Sequence, residues 1–194
     1  MTPLPEFVPF RKIPRWSRDI IITEKIDGTN GVIHVSDDLS TISAGSRSRW
    51  ITSEADNYGF ARWVYANEKS LIADLGPGYH FGEWWGQGIQ RRYGMTEKRF
   101  SLFNVTRWLN ATFQTPQLDV VPKLYEGPLI ARIDVELDLD LAVEQTLDDL
   151  HTKGSVAAPG FMDPEGIVIF HTASGALFTK TIKGDDKPKT REET

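Results

Sequence analysis

The amino-acid sequence predicts an α+β domain built on antiparallel sheet. Short β-branched and aromatic runs dominate it, only two stretches carry helical periodicity, and no internal repeat is visible. Its 194 residues are enough for one substantial core, and 40% of them are apolar against 25% charged. With six Trp, five Tyr and ten Phe, the composition is unlike that of a disordered or low-complexity chain. No long linker breaks the pattern. The expected organisation is a single domain over residues 1–185 followed by a flexible polar tail, 186–194.

Taken in chain order, residues 20–26, "IIITEKI", are rich in β-branched side chains and make a first strand. "DGTNG" is a turn sequence, and "VIHV", "SDDLS" and "TISAG" then read as a hairpin continuing the same sheet. From about Ser53 to Asp74 the period becomes helical. Phe60, Val64 and Leu71, with Trp63 alongside, form an apolar stripe, and "GPG" at 76–78 ends the helix. "YHFGEWW" and "RFSLFNV" are strands separated by the polar loop "GQGIQRRYGMTEK". Residues 139–152 form a second helix with Val143, Leu147 and Leu150 on one side. "EGIVIFH", a "TASG" turn and "ALFTKTI" make a closing hairpin. The tail "DDKPKTREET" carries no apolar residue and is expected to fray.

Composition also excludes several chemistries. Without cysteine there is no disulfide framework, no thiol nucleophile and no zinc site built on sulfur. The opening segment lacks the apolar run of a signal peptide, and no stretch approaches a membrane span. The expectation is a cytoplasmic protein that does not meet a membrane. A net charge of −5 argues against a protein that coats nucleic acid electrostatically. The charge is uneven, however: residues 1–110 hold 14 Lys/Arg against 12 Asp/Glu, whereas 111–194 hold 8 against 15. Arg11, Lys12, Arg15 and Arg18 form one basic patch and Arg91, Arg92, Lys98 and Arg99 another. Such patches suit brief contact with a phosphate backbone, or plain solvated surface.

The most informative stretch is "TEKIDGTNG", residues 23–31. A strand lysine beside a glutamate is usually a solvated pair worth little. To act as a nucleophile, Lys25 must lose its proton with help from neighbouring groups. The chain offers such groups at comparable strand ends. Glu83 lies in "FGEWWG", Glu165 heads "EGIVIF", and Gly166 lets a ligand approach the backbone there. Arg47 and Arg49 sit in "GSRSR", and Lys180 and Lys183 lie on the last strand. Two separated carboxylates suit a divalent cation or a ribose hydroxyl, and the cations suit phosphates. A lysine attacking phosphorus needs both classes.

Read in order, these motifs resemble those of the covalent nucleotidyltransferases, the superfamily of polynucleotide ligases and mRNA capping enzymes. "KIDG", Lys25–Gly28, is similar to the lysine motif that takes AMP, or GMP in capping enzymes, through a phosphoramide bond. "SR" at Ser46–Arg47, "FGEWWG" around Glu83, "FNV" with Phe103 and "EGIVI" with Glu165 follow in the family's order. The resemblance implies a fold of antiparallel sheets flanked by helices, with an ATP-binding cleft between them. It also implies catalytic roles for Lys25, Glu165 and Lys180. The nucleotide would be held by Glu24, Lys25, Ile26, Asp27, Gly28 and Asn30 of the opening motif, and by Arg47, Glu83, Phe103, Glu165, Lys180 and Lys183. The implied metal, Mg²⁺ or Mn²⁺, falls to Glu165 and Glu83. Phe103 would stack on adenine.

The sequence departs from the family pattern at two of these motifs. Asn104 stands where the aromatic motif has an acidic residue. "KTIK" is one residue longer than the family's K-x-K, so Lys180 and Lys183 cannot both face one cleft from a regular strand. Lys180, inside the apolar run, is the expected phosphate contact. The third motif and the compact opening look most like the small phage-type RNA ligases. The resemblance thus implies ATP-dependent joining of 5′-phosphate and 3′-OH RNA ends, nicked or single-stranded, in the cytoplasm of a host if the chain is phage-encoded. A monomer is expected. Eleven residues follow Lys183, too few for an oligonucleotide-binding domain, so a separate nucleic-acid-binding partner is a further expectation. A DNA-nick ligase and a nucleotide-binding relative without catalysis remain the competing readings.

Overall fold

The computed structural model describes residues 5–129, 131–133, 136–138 and 141–184. The strands fall into two main sheets. The first has four strands in the order β12–β11–β1–β8, from β1 (Asp19–Lys25), β8 (Lys123–Pro128), β11 (Gly166–His171) and β12 (Ala176–Thr181). The second has six, in the order β4–β3–β2–β5–β6–β7. Its members are β2 (Thr29–Val35), β3 (Ile42–Gly45), β4 (Trp50–Ile51), β5 (Gly78–Gly86), β6 (Lys98–Leu102) and β7 (Leu118–Val120). Pairing in both is antiparallel except between β6 and β7. Among the described residues, β9 (Ala131–Ile133) and β10 (Glu136–Asp138) form a two-stranded sheet of their own.

Helices α1 (Phe60–Ala66) and α2 (Glu68–Leu75) cover one face of the six-stranded sheet, where Ile33, Phe60, Val64, Leu71, Leu75, Trp84 and Phe100 form a core. A third helix, α3 (Val105–Trp108), follows β6. Helix α4 (Leu141–Lys153) packs Val143 and Leu150 on Ile20, Ile22 and Ile167 of the four-stranded sheet. A third cluster, including Ile21, Ile26, Trp85, Tyr93 and Val121, fills the space between the sheets. Strand alternation explains this division: Ile20 and Ile22 face α4, whereas Ile21 faces the opposite sheet.

Several local expectations are corrected. "DGTNG" does not close a hairpin in one sheet. β1 and β2 belong to different sheets, and Ile26–Gly28 carry the chain from one to the other. Gly28 is required there because a Cβ would lie 2.5 Å from the Trp84 carbonyl oxygen and 2.7 Å from Trp85 Cβ. The chain returns through Val121–Pro122, and the Glu24 N–H donates to the Pro122 carbonyl (3.0 Å), tying the two crossings together. The helix expected over 53–74 is two short ones, interrupted at Asn67, whose φ of −112° leaves the helical range. "RFSLFNV" stops being strand at Leu102, because the Asn104 side chain caps α3 by accepting the Arg107 N–H. Residues 139–140 of the second expected helix and the tail from 185 lie outside the described residues.

Glu24 shows how tightly β1 is held from behind. It is 1% exposed, shares the face of Ile20 and Ile22, and points toward the loop that follows α4. Its carboxylate accepts from Ser155 Oγ (2.6 Å) and from the N–H groups of Val156 and Ala157 (2.9 Å each). Burial pushes its pKa up and these donors pull it back. The residue expected to touch the cofactor therefore has its side chain committed to the protein interior. Glu24→Ala strands three donors in a closed space and should lower unfolding stability by roughly 2–4 kcal/mol. Urea denaturation checks this, and a change within about 0.5 kcal/mol would show that the loop is held by other means.

Candidate active site

The register between β1 and β11 builds the site. Lys25 pairs with Gly166, so the residue before Gly166 arrives beside the lysine side chain. Lys25 Nζ donates to Glu165 Oε2 at 2.5 Å, with the two side chains 21% and 11% exposed. Gly166 serves this arrangement sterically. A Cβ there would stand 2.2 Å from the Lys180 carbonyl oxygen and 2.7 Å from Thr181 Cα, at φ 156°. The close approach is thus made by the neighbouring strand, where the sequence suggested a ligand.

Glu83 comes from the opposite sheet. On β5 it alternates with buried Trp84 and pairs across to Asn30. Its Oε1 accepts the Gly28 N–H (3.1 Å) and its Oε2 accepts Asn30 Nδ2 (3.0 Å), so both carboxylate oxygens are held by the opening motif. Burial pushes its pKa up to about 7, although Lys25 and these two donors favour the charged form, while Glu165 adds to the rise. Lys25, Glu83 and Glu165 therefore form one electrostatic unit drawn from both sheets.

A second group of charges closes beside it. The Asp27 N–H donates to the Tyr93 hydroxyl (2.8 Å) and Asp27 Oδ2 accepts Arg91 Nε (3.0 Å). Arg91 Nη1 reaches Asp163 Oδ2 (2.8 Å), and Lys183 Nζ reaches Asp163 Oδ1 (2.7 Å). Hydrogen bonding from Lys183 holds the Asp163 carboxyl below its ordinary range. Arg91, read as part of a free basic patch, is instead a bridge between the lysine motif and the segment before β11. Sequence reasoning missed Asp163 and Tyr93. The signal was their spacing: Asp163 stands two residues before Glu165, and Tyr93 shares a loop with Arg91.

The two late lysines part company. Lys180 pairs with Ile167 in the sheet and lies on the α4 face, where its Nζ bonds Glu144. Lys25 is on the other face. Lys183, just past β12, is the one linked to the lysine motif through Asp163 and Arg91. The preference for Lys180 was therefore misplaced, because it followed the apolar run and not the strand's parity. Ile26 is buried in the cluster between the sheets. Phe103 is 42% exposed and its N–H donates to the Phe81 carbonyl (2.9 Å), beside the row that carries Glu83. Phe100 faces the helix side and is fully buried, which leaves Phe103 as the available ring. Arg47 is exposed in the loop joining β3 and β4.

No group of three or more His, Cys, Asp or Glu is gathered for a metal among the described residues. One or two carboxylates remain, which are hard oxygen donors of the kind that hold a cation jointly with phosphates. Glu165 fits that description best, with Oε2 already engaged by Lys25. No helix among the described residues is long and apolar enough to cross a membrane.

Comparison with known proteins bears on the family and the fold. The RNA ligase family matches residues 18–176. Among curated proteins none matches the sequence. Among solved structures, an RNA ligase of Naegleria gruberi is similar in several forms. A mutant with ATP and manganese gives a TM-score of 0.55 at 17% identity, covering 85% of this chain and 49% of that one. A mutant with AMP and manganese gives 0.57 at 14% identity, covering 92% and 57%. The form with pyrophosphate gives 0.55 at 17% identity, covering 85% and 50%. The chain spans about half the length of those proteins, and at these identities the likeness is one of fold. Since the family match spans residues 18–176, well over half of the sequence, the chain belongs to the RNA ligase family.

Proposed function

We propose that this chain is an ATP-dependent RNA ligase that joins 5′-phosphate to 3′-OH ends through a lysyl-AMP at Lys25. The observation that carries the reading is the Lys25–Glu165 pair at 2.5 Å, set against Glu83 in a member of the RNA ligase family. Once deprotonated, Lys25 Nζ attacks the α-phosphorus of ATP. An N–P bond forms, the bond to the bridging oxygen of pyrophosphate breaks, and the electron pair departs with pyrophosphate. Glu165 Oε2 already accepts from Nζ, which supports it as the acceptor of that proton. The RNA 5′-phosphate then attacks the same phosphorus, the N–P bond breaks, and the lysine nitrogen takes a proton back. Finally the 3′-OH attacks the activated 5′-phosphate: a P–O bond forms, the bond to the AMP oxygen breaks, AMP leaves with the electron pair, and the hydroxyl proton passes to solvent.

The remaining residues divide the binding work. Glu165 and the ATP phosphates would hold Mg²⁺ or Mn²⁺, which supplies charge neutralisation at the phosphates when bound. Lys183 exchanges Asp163 for a phosphate oxygen. Glu83, with a pKa near neutrality, can both accept from and donate to ribose hydroxyls, and Phe103 stacks on the base. Such chemistry belongs in the cytoplasm, and this chain supplies RNA contacts of its own. A nicked DNA substrate is the second reading, and ligation of nicked RNA, single-stranded RNA and nicked DNA in parallel separates them. Good joining of DNA with none of RNA would replace the RNA assignment.

Three measurements test the reading of the site. Intact-mass spectrometry with ATP and Mg²⁺ should show an AMP adduct that Lys25→Ala abolishes, and an adduct surviving in that variant would end the lysyl-AMP proposal. Lys183→Ala should slow adduct formation on the order of 100-fold. Lys180→Ala, which removes a partly exposed pair with Glu144 on the α4 face of the sheet, should change it little. The reverse order would return the phosphate role to Lys180. For Glu83, a folded-state pKa of about 7 exceeds the ordinary 4.5, so the folded protein binds this proton more tightly. Its stabilising contribution is full below about pH 4.5 and is lost as pH rises through about 7. Thermal melts of Glu83→Gln should therefore lack part of the decline in Tm that the parent shows across that window, and parallel curves would contradict the raised pKa.

A further inference from the structure

The face of the six-stranded sheet that carries Glu83 extends well beyond it, and the register shows what lies there. One pleat away from Asn30 and Glu83 runs a row across the strands: Trp50, Gly45, Val32, Phe81, and then Phe103 just past β6. The next row outward pairs Ser43, His34 and Tyr79. The large side chains exposed on these rows are all aromatic. Trp50, Tyr79 and Phe81 are 55%, 57% and 58% exposed. Their rings form a connected surface: His34–Tyr79 at 4.4 Å, His34–Trp50 at 6.2 Å, Tyr79–Phe81 at 6.3 Å and Trp50–Tyr79 at 6.4 Å between centroids.

We propose that His34, Trp50 and Tyr79 form a stacking platform for unpaired bases of the RNA strand next to the end being joined. The proposal rests on the ligase reading above and extends it to the substrate. Three observations select this occupant. First, the platform is continuous with the site: Tyr79 lies four residues from Glu83 on the same face, about 13 Å along the strand, roughly four stacked nucleotides at 3.4 Å each. Second, aromatic rings with hardly any aliphatic side chain among them suit π-faces of any base, where a protein partner would find few branched side chains to pack. Third, the loop joining β3 to β4 borders the platform with Arg47 and Arg49. Both are exposed and neither makes an ion pair among the described residues, so they can follow a phosphate backbone.

The test is fluorescence anisotropy of the full chain with a labelled, 5′-phosphorylated, single-stranded oligoribonucleotide at low salt. A fully paired RNA duplex and the ATP-dependent mass gain at Lys25 are measured beside it. Trp50→Ala and Tyr79→Ala should each weaken single-strand binding at least about fivefold. Tyr79→Phe should bind like the parent, because it keeps the ring. Duplex binding and the adenylate adduct should be unchanged in all three. Single-strand affinity that stays at the parental value in both alanine variants, with circular-dichroism melts showing them folded, overturns the platform. So does an equal loss on duplex and single strand, or a change only in oligomeric state by light scattering, which would assign the face to a second copy. Absence of the adduct in the parent would sink the ligase reading instead, and the single-strand comparison would still decide the platform.

Discussion

Strand β1 must satisfy two environments at once, and the pleat is what allows it. Its even-numbered residues, Ile20, Ile22 and Glu24, are committed to the layer beneath α4, and Glu24 is fastened there by three donors. That commitment fixes the strand's rotation. Lys25 can then face only the cleft, and antiparallel pairing with β11 brings Glu165 to its amine. A one-residue slip would exchange the two faces, burying the lysine and exposing the aliphatic row. The chemistry of the site is thus anchored by apolar packing on the far side of the sheet.

Charge is organised around that anchor in two linked groups. Lys25, Glu83 and Glu165 share a partly desolvated space in which two carboxylates flank one lysine, and burial pushes the Glu83 pKa up to about 7. Asp27, Arg91, Asp163 and Lys183 form a chain of ion pairs at its edge. The second group is more exposed and is worth little to stability. Its contribution is positional: it keeps the end of β12 near the lysine motif and gives Lys183 an anionic partner.

Much of this was legible in the sequence, and the failures have identifiable physical causes. Lys25, Glu83 and Glu165 stand out because glycines and apolar runs flank each of them. The Phe60, Val64 and Leu71 stripe marks the helical layer, and Val143 and Leu150 mark α4. Glu24 and Lys180 were misjudged for one shared reason: sequence proximity to a motif says nothing about which way a pleated strand turns a side chain. Parity counted from Lys25, across the Gly166 register, separates them correctly. "DGTNG" has turn composition, yet composition does not reveal whether the chain turns back into its own sheet or leaves it. That choice is made by Gly28 packing against β5, a contact remote in sequence. Asn104 looked like a weakened acidic position, and its use as a helix cap depends on where β6 ends. Arg91 looked free because its partners, Asp27 and Asp163, are distant in the chain.

Among the described residues the chain passes between the two sheets at two places, Ile26–Gly28 and Val121–Pro122, and the Glu24–Pro122 hydrogen bond sets these side by side. They act as the spine of the molecule. Rotation of one sheet relative to the other about this line moves each atom in proportion to its distance from it. Lys25 adjoins the spine, whereas β4 and β12 lie at the outer edges of their sheets. The Lys25 amine therefore occupies the end of the cleft that such a rotation would move least.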